Sequence, residues 1–437
     1  MMMRFIGAVF AAVIALPVAA ETEIQEVVSP GGITAWLVEE HSIPFTSIEI
    51  RFQGGASLDE PGKRGATNLM VGLLEEGTGD MDAQAFAEAR EALAATYIFG
   101  AYDDSLTIGT KFLSENANEA VALLKQAVVS PRFDEVALER VRAQVIAGIK
   151  SDAQDPDAIA RVRFNGAAFG DHPYGTDSSG TIESVEALTQ EDLFTAHRNV
   201  LARDRLYVAA VGDITPAELG AMLDDLLGDL PATGAPMPEP VEFALDGGVT
   251  VVDFKTPQST ALFGHSGIAQ EDDDFFAAYV LNTVLGGAGF ESRLMNEVRK
   301  KRGLTYGVGS YLLAKDYSAT VLGSVRSSND RIAEAIEVIT AEWGRMATTG
   351  VTPEELTNAK LLLTGAYPLR FDGNTQIAMI MVGMQMQGLP IDYIATRNER
   401  VDAVTLEDVN RVAAELLRAE DLHFMVVGEP EGLTSTN

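Results

Sequence analysis

The chain repeats itself. TQEDLFTAHRNVLARDRLYVAAVGD, from Thr189, and TLEDVNRVAAELLRAEDLHFMVVGE, from Thr405, align without a gap at an offset of 216 residues. Thr189/Thr405, Glu191/Glu407, Asp192/Asp408, Leu201/Leu417, Leu206/Leu422, Val211/Val427 and Gly212/Gly428 coincide. Each copy reads as a threonine-capped helix, a short turn and an apolar strand ending at glycine. Both copies close their half, so 437 residues divide into two similar units in tandem. The division expected is 21–230, a linker over 231–241, and 242–437, with LPATGAPMPEP supplying the prolines and small residues of a semi-rigid connection.

Within the halves, FTSIEIRF alternates Ile48, Ile50 and Phe52 against Ser47, Glu49 and Arg51, a strand with one buried face. DAQAFAEAREALAATY, ENANEAVALLKQAVV and DEVALERVRAQVIAGIKSD carry helical spacing, and Thr352-Pro353-Glu354-Glu355 is a capping box with proline at the first helical position. Hairpin strands with long helices predict an α+β class, each half a mostly antiparallel sheet with helices on one side.

A formal net charge of −32 argues against nucleic acid and anionic lipid surfaces, since phosphate binding needs cations. It also raises attraction to basic peptides. MMMRFIGAVFAAVIALPVAAETE has one cation, an apolar run and small residues before Glu21. That pattern predicts a secretory leader over residues 1–20, cut after Ala20. Disulfides and cysteine-ligated metals are impossible in a chain with no cysteine, and the expected compartment is a bacterial periplasm.

Chemistry is sparse. The histidines, His41, His172, His197, His265 and His423, are widely separated, and no H-x-x-E-H, H-E-x-x-H or G-x-S-x-G occurs. Gly286-Gly287-Ala288-Gly289 lacks the Lys-Ser/Thr of a phosphate loop and reads as a turn of close backbone approach. VRKKRGLTYG places four cations, Arg299 to Arg302, in a row. They suit the last turn of a helix, with Gly303 as its left-handed stop. A chain returning from Gly303 into a strand could bring Tyr306 back beside Arg299, and together they could hold a peptide carbonyl or a developing oxyanion.

LGGAGFESRLMNEVRKKRGLTYGVGSY (Leu285–Tyr311) closely resembles the second-domain signature of the pitrilysin/insulinase (inverzincin) metallopeptidases, which include the mitochondrial processing peptidases. FGDHPYGTDSSGT and GGASLDEPGKRGATNLMVGLLEEGT also match motifs of that family, so the resemblance spans nearly the whole chain. It implies two tandem domains forming half of a clamshell chamber. It also implies that Arg299 binds substrate and Tyr306 assists catalysis. Counting back from Gly77-Thr78, the metal-ligand positions fall on Asn68 and Gly72, the catalytic base on Val71, and the third ligand near Gly148, where Arg140 to Ser151 holds no acid. The chain is thus similar to the zinc-less subunits of two-chain enzymes. It would bind no cofactor itself, and a partner bearing H-x-x-E-H would hold zinc against a shared, extended peptide. The rival expectation is a non-enzymatic peptide-binding or scaffold protein of the same fold; a self-sufficient peptidase would need an unrecognised metal site. His172 and Tyr174 belong, by the resemblance, to a packing and turn motif, and His265 receives no role.

Overall fold

The computed structural model describes residues 23–436, so the leader expected at 1–20 lies outside the described residues. Thirteen strands are present among them. The first half holds β1 (Gln25–Val28), β2 (Thr34–Glu39), β3 (Phe45–Gln53), a small hairpin of β4 (Gly77–Thr78) and β5 (Met81–Asp82), β6 (Thr96–Ala101), β7 (Ser105–Leu113) and β8 (Leu206–Gly212). The second holds β9 (Gly248–Asp253), β10 (Gln258–Ser266), β11 (Val308–Lys315), β12 (Ser318–Ser328) and β13 (His423–Gly428).

The two main sheets share one plan. The first runs β1-β2-β8-β3-β7-β6, the second β11-β12-β10-β13-β9. Read from opposite ends they superpose: β6, β7, β3, β8 and β2 correspond to β11, β12, β10, β13 and β9. Each sheet has one parallel pair at the same place, β2 with β8 and β9 with β13, and is otherwise antiparallel. The repeated segments form the equivalent helices Gln190–Val200 and Leu406–Leu416, each with a capping box on Thr189 or Thr405, then β8 and β13.

Each half covers one face of its sheet with its own helices. In the first, Ile48, Ile50, Phe52, Val208 and Ala210 share a core with Phe86, Leu124, Leu138 and Leu193. In the second, Ala261, Phe263, Phe424 and Val426 do so with Ile336, Trp343 and Val409.

The opposite faces are covered by exchange. Helix Pro156–Phe169 of the first half lays Ala160, Phe164 and Ala168 on Leu322, Met425 and Val427 of the second sheet. Helix Asn374–Met386 of the second half lays Ala378, Met381, Val382 and Met384 on Trp36, Val38, Ala209 and Val211 of the first. Alternate residues of β8 and β13 therefore face two different cores, which is why both strands are apolar throughout. The 230–247 stretch is not a free spacer: Met237, Val241, Phe243 and Leu245 pack into the exchanged core, and Val241 N–H donates to Tyr317 at 2.8 Å.

The exchange alters the reading of β3. Its polar face is also buried, under helix Asn374–Met386: Ser47 shares a hydrogen bond of 2.9 Å with Thr375, and the Arg51 guanidinium reaches Met386 Sδ at 3.9 Å. Glu49 is 7% exposed, and burial pushes its carboxyl up to about 7 against the opposing pull of Arg51.

Two predictions follow the exchange. Phe164→Ala should cost about 3–5 kcal/mol and lower one cooperative melting transition of the whole chain. Two separate transitions, only one of them shifted, would contradict the interlock. For Glu49, the folded protein keeps a proton that the unfolded chain loses near 4.5. Its contribution is present below that pH and is lost as pH rises through about 7. Glu49→Gln should therefore stabilise the fold at pH 8, by up to roughly 3 kcal/mol, with little change at pH 4; urea melts at both pH values check this.

Candidate functional site

A cavity of about 740 Å³ opens between the halves. Its wall takes Asn68, the last residue of β6 (Ala101) and the turn after it (Tyr102, Asp103) from one half, Phe164 and Phe169 from the exchanged helix, and Tyr311, Leu313 and Lys315 from β11. Its charged lining is largely matched internally. Asp103 meets Arg64 and Lys315 at 2.9 and 2.6 Å, Asp177 meets Arg161 at 3.1 Å, and Asp157 pairs with Arg326. The chain's acidity is not concentrated on this wall.

The HPYG motif sits beside this cavity, between its lining residues Phe169 and Thr176. The Tyr174 side chain is fully buried; its hydroxyl donates to Asp104, and accepts from Tyr317 N–H at 3.2 Å. Lys315 Nζ sits 4.1 Å above the same ring, and burial lifts the Asp104 carboxyl to about 6. His172 caps the following turn, its Nδ1 accepting from Tyr174 N–H at 3.1 Å. Arg64 donates to the carbonyls of Ala56, Pro173, Thr176 and Asp177 as well as to Asp103. The sequence offered no pattern that singled out Arg64. His265 is a core clamp: the Trp343 indole N–H donates to its Nε2 at 3.0 Å, and its Nδ1 donates to the Ser266 carbonyl at 2.7 Å.

The metal-ligand positions lie on helix Ala66–Val71 and its cap, Gly72. Asn68 is half-buried on the cavity wall, Val71 is buried in the core, and Gly72 offers no side chain. Gly72 is exposed, and a Cβ added there would stand 3.0 Å from Val141 on helix Glu135–Asp152. Gly148 on that helix is exposed. An amide, a valine and a glycine do not make a zinc donor set, and no group of three or more His, Cys, Asp or Glu able to hold a metal occurs among the described residues. These residues do not fit zinc.

The Arg299–Tyr306 segment is built differently. Gly286 packs so closely on β11 that a Cβ would fall 2.4 Å from Ser310 N, and Asn282 seals the contact by hydrogen bonds of 3.2 and 2.7 Å to Ser310. This is the close backbone approach expected of the glycine-rich turn. Arg293 then anchors the following helix by a fork to Glu355 at 2.7 and 2.6 Å and a bond to the Gly350 carbonyl. The helix differs from the expected α form: Met295–Lys300 is π-helical, with Lys301 N–H donating to Asn296 five residues back. Such widened turns recur at functional sites.

Three of the four consecutive cations are neutralised. Lys301 and Arg302 meet Glu297 at 2.7 and 2.9 Å, and Lys300 meets Glu291 at 3.4 Å. Arg299 has no carboxylate partner among the described residues; its guanidinium lies 4.7 Å from the centre of the Phe290 ring. Gly303, at φ +65°, stops the helix by donating to the Arg299 carbonyl at 2.8 Å, and Leu304 N–H reaches Val298 at 3.0 Å. Around Tyr306 the backbone is fixed: Leu304, Thr305 and Val308 are buried, and Thr305 Oγ1 bonds the Gly307 and Arg326 carbonyls at 2.8 and 2.6 Å. Tyr306 itself is 83% exposed. The structure sets Arg299 against Phe290, and Tyr306 lies in the bend just before β11; Gly307 lines the cavity and neither Arg299 nor Tyr306 does.

With this geometry in place, similarity to known proteins is informative. Residues 35–181 match the family described as Insulinase (Peptidase family M16), and residues 187–363 match the Peptidase M16 inactive domain. A Helicobacter pylori protein called non-peptidase homolog YmxG is 28% identical over 394 residues, covering 89% of this chain and 90% of that one. The mitochondrial-processing peptidase subunit beta of Blastocladiella emersonii is 23% identical, over 93% of this chain and 89% of its own. A crystal structure described as a peptidase M16 inactive domain from Pseudomonas fluorescens superposes with a TM-score of 0.87 at 26% identity, covering 94% of this chain and 99% of that one. The chain belongs to peptidase family M16, the insulinase family, as a member whose first half lacks the residues of a zinc site.

Proposed function

We propose that this chain is the zinc-less subunit of a two-chain metalloendopeptidase, exported to the periplasm, which binds the peptide substrate and presents Arg299 and Tyr306 to a partner of the same family bearing H-x-x-E-H. The carrying observation is Tyr306, 83% exposed on a backbone that buried neighbours and Thr305 hold rigid. An exposed tyrosine needs no such support for packing, whereas an oxyanion donor gains from being held in place before the reaction. Arg299, the one cation of its run without a carboxylate among the described residues, is likewise available to donate to a peptide carbonyl. Both stand off the wall of the chain's own cavity, which supports delivery to another chain.

The reaction is peptide-bond hydrolysis, with the metal and the water-activating base supplied by the partner. Here the Arg299 guanidinium would donate to a backbone carbonyl beside the scissile bond and fix its register. The Tyr306 hydroxyl would donate to the oxygen that gains charge as the carbonyl becomes tetrahedral. A partner of the same family accords with the likeness to a subunit of mitochondrial-processing peptidase.

Affinity isolation of the tagged chain from its native host should bring down a stoichiometric H-x-x-E-H relative and about one zinc per pair. In that complex Tyr306→Phe should lower kcat by ~10²–10³ with little change in KM. Full turnover with phenylalanine would remove the catalytic role. A lone, metal-free chain that still binds peptides would move the function to a peptide-binding scaffold.

A further inference from the structure

The Phe290 ring is 58% exposed, although nothing about its turn requires a large apolar side chain there. Its position is fixed nevertheless. Gly289 is left-handed at φ +56°, and its carbonyl accepts from both Ser292 N–H, at 3.1 Å, and Ser292 Oγ, at 2.8 Å. Neighbouring residues of this turn then grip neighbouring residues of the π-helical segment: Phe290 takes Arg299 and Glu291 takes Lys300. The clasp holds the guanidinium over the ring, and its N–H groups meet no carboxylate among the described residues. A ring that both carries a cation and stays in water exposes apolar surface beside a polar binding group.

Building on the peptide-binding reading above, we propose that Phe290 is a positioning and specificity-determining residue of the Arg299/Tyr306 site. It orients Arg299 towards a backbone carbonyl, and its uncovered surface receives a large apolar side chain of the extended peptide next to that carbonyl. Two features favour an apolar over an acidic side chain. Arg299 is engaged with the ring face rather than standing alone, and the cations beside it are already matched by Glu291 and Glu297. The substrate class is an extended peptide with leucine, methionine or an aromatic residue at one defined position.

The test uses the full chain and fluorescein-labelled decapeptides of alanine, serine and threonine carrying Leu, Phe, Asp or Lys at one central position. Anisotropy titrations of the wild type should give about tenfold tighter binding of the Leu and Phe peptides than of the Asp and Lys peptides. Phe290→Ala should abolish that preference and weaken every peptide about threefold, as Arg299 loses its support. Phe290→Tyr, which keeps an aromatic face, should retain both properties. An unchanged melting temperature of Phe290→Ala would place its effect at the site rather than in folding. If Arg299→Ala loses binding while Phe290→Ala does not, or if the Asp peptide binds best, the role of Phe290 is overturned and the peptide-binding reading stands. If the wild type binds none of the peptides, that reading fails together with this inference.

Discussion

Each sheet of this protein has two faces to cover, and its own half supplies helices for only one. The rest of the structure follows from that shortage. β8 and β13 bury alternate residues in two different cores, and a sheet with a bare apolar face would be unstable and prone to associate. The two halves meet the need reciprocally, each lending one helix to the other's sheet at equivalent places in the repeat. The junction is therefore a pair of shared cores, reinforced by Tyr174, Asp104, Lys315 and Tyr317 between the halves. A cavity enclosed by such a junction has walls whose positions are set by buried packing rather than by a flexible linker.

That rigidity bears on function because the two halves have diverged within it. In the first, the short helix Ala66–Val71, on which the resemblance places the metal-ligand positions, offers an amide at Asn68, a core valine at Val71 and no side chain at Gly72. In the second, the glycine-rich turn, the Arg293 fork and the π-helical segment all position residues that are not themselves buried. Backbone and hydrogen bonds are committed to placing Arg299, Phe290 and Tyr306 at the surface. A scaffold selected only for shape has no physical need for that commitment, since exposed side chains add little to stability.

Much of this was legible from sequence. The alignment of Thr189 with Thr405 located two equivalent helix–strand units, because capping threonines, apolar periodicity and terminal glycines are local devices. Gly303 ended its helix as expected, for the same reason. The polar face of FTSIEIRF misled, however: Ser47 and Glu49 read as solvent-facing, and they are buried because a helix more than 320 residues later in the chain, at Thr375, lies over them. The alternation of a strand reports chemistry on each face but not what covers it.

By itself, the sequence determined the tandem repeat, the α+β class, the loss of zinc-binding side chains and the segment bearing Arg299 and Tyr306, all of which depend on residue identity and near-neighbour spacing. Only the tertiary structure decided the exchange of helices, the matching of charge on the cavity wall, the burial of Glu49, and the pairing of Arg299 with Phe290. Even that last pair, nine residues apart, depends on where the glycine-rich turn is held against β11. These features arise from contacts between segments whose order in space is fixed by packing, and no local pattern encodes such an order.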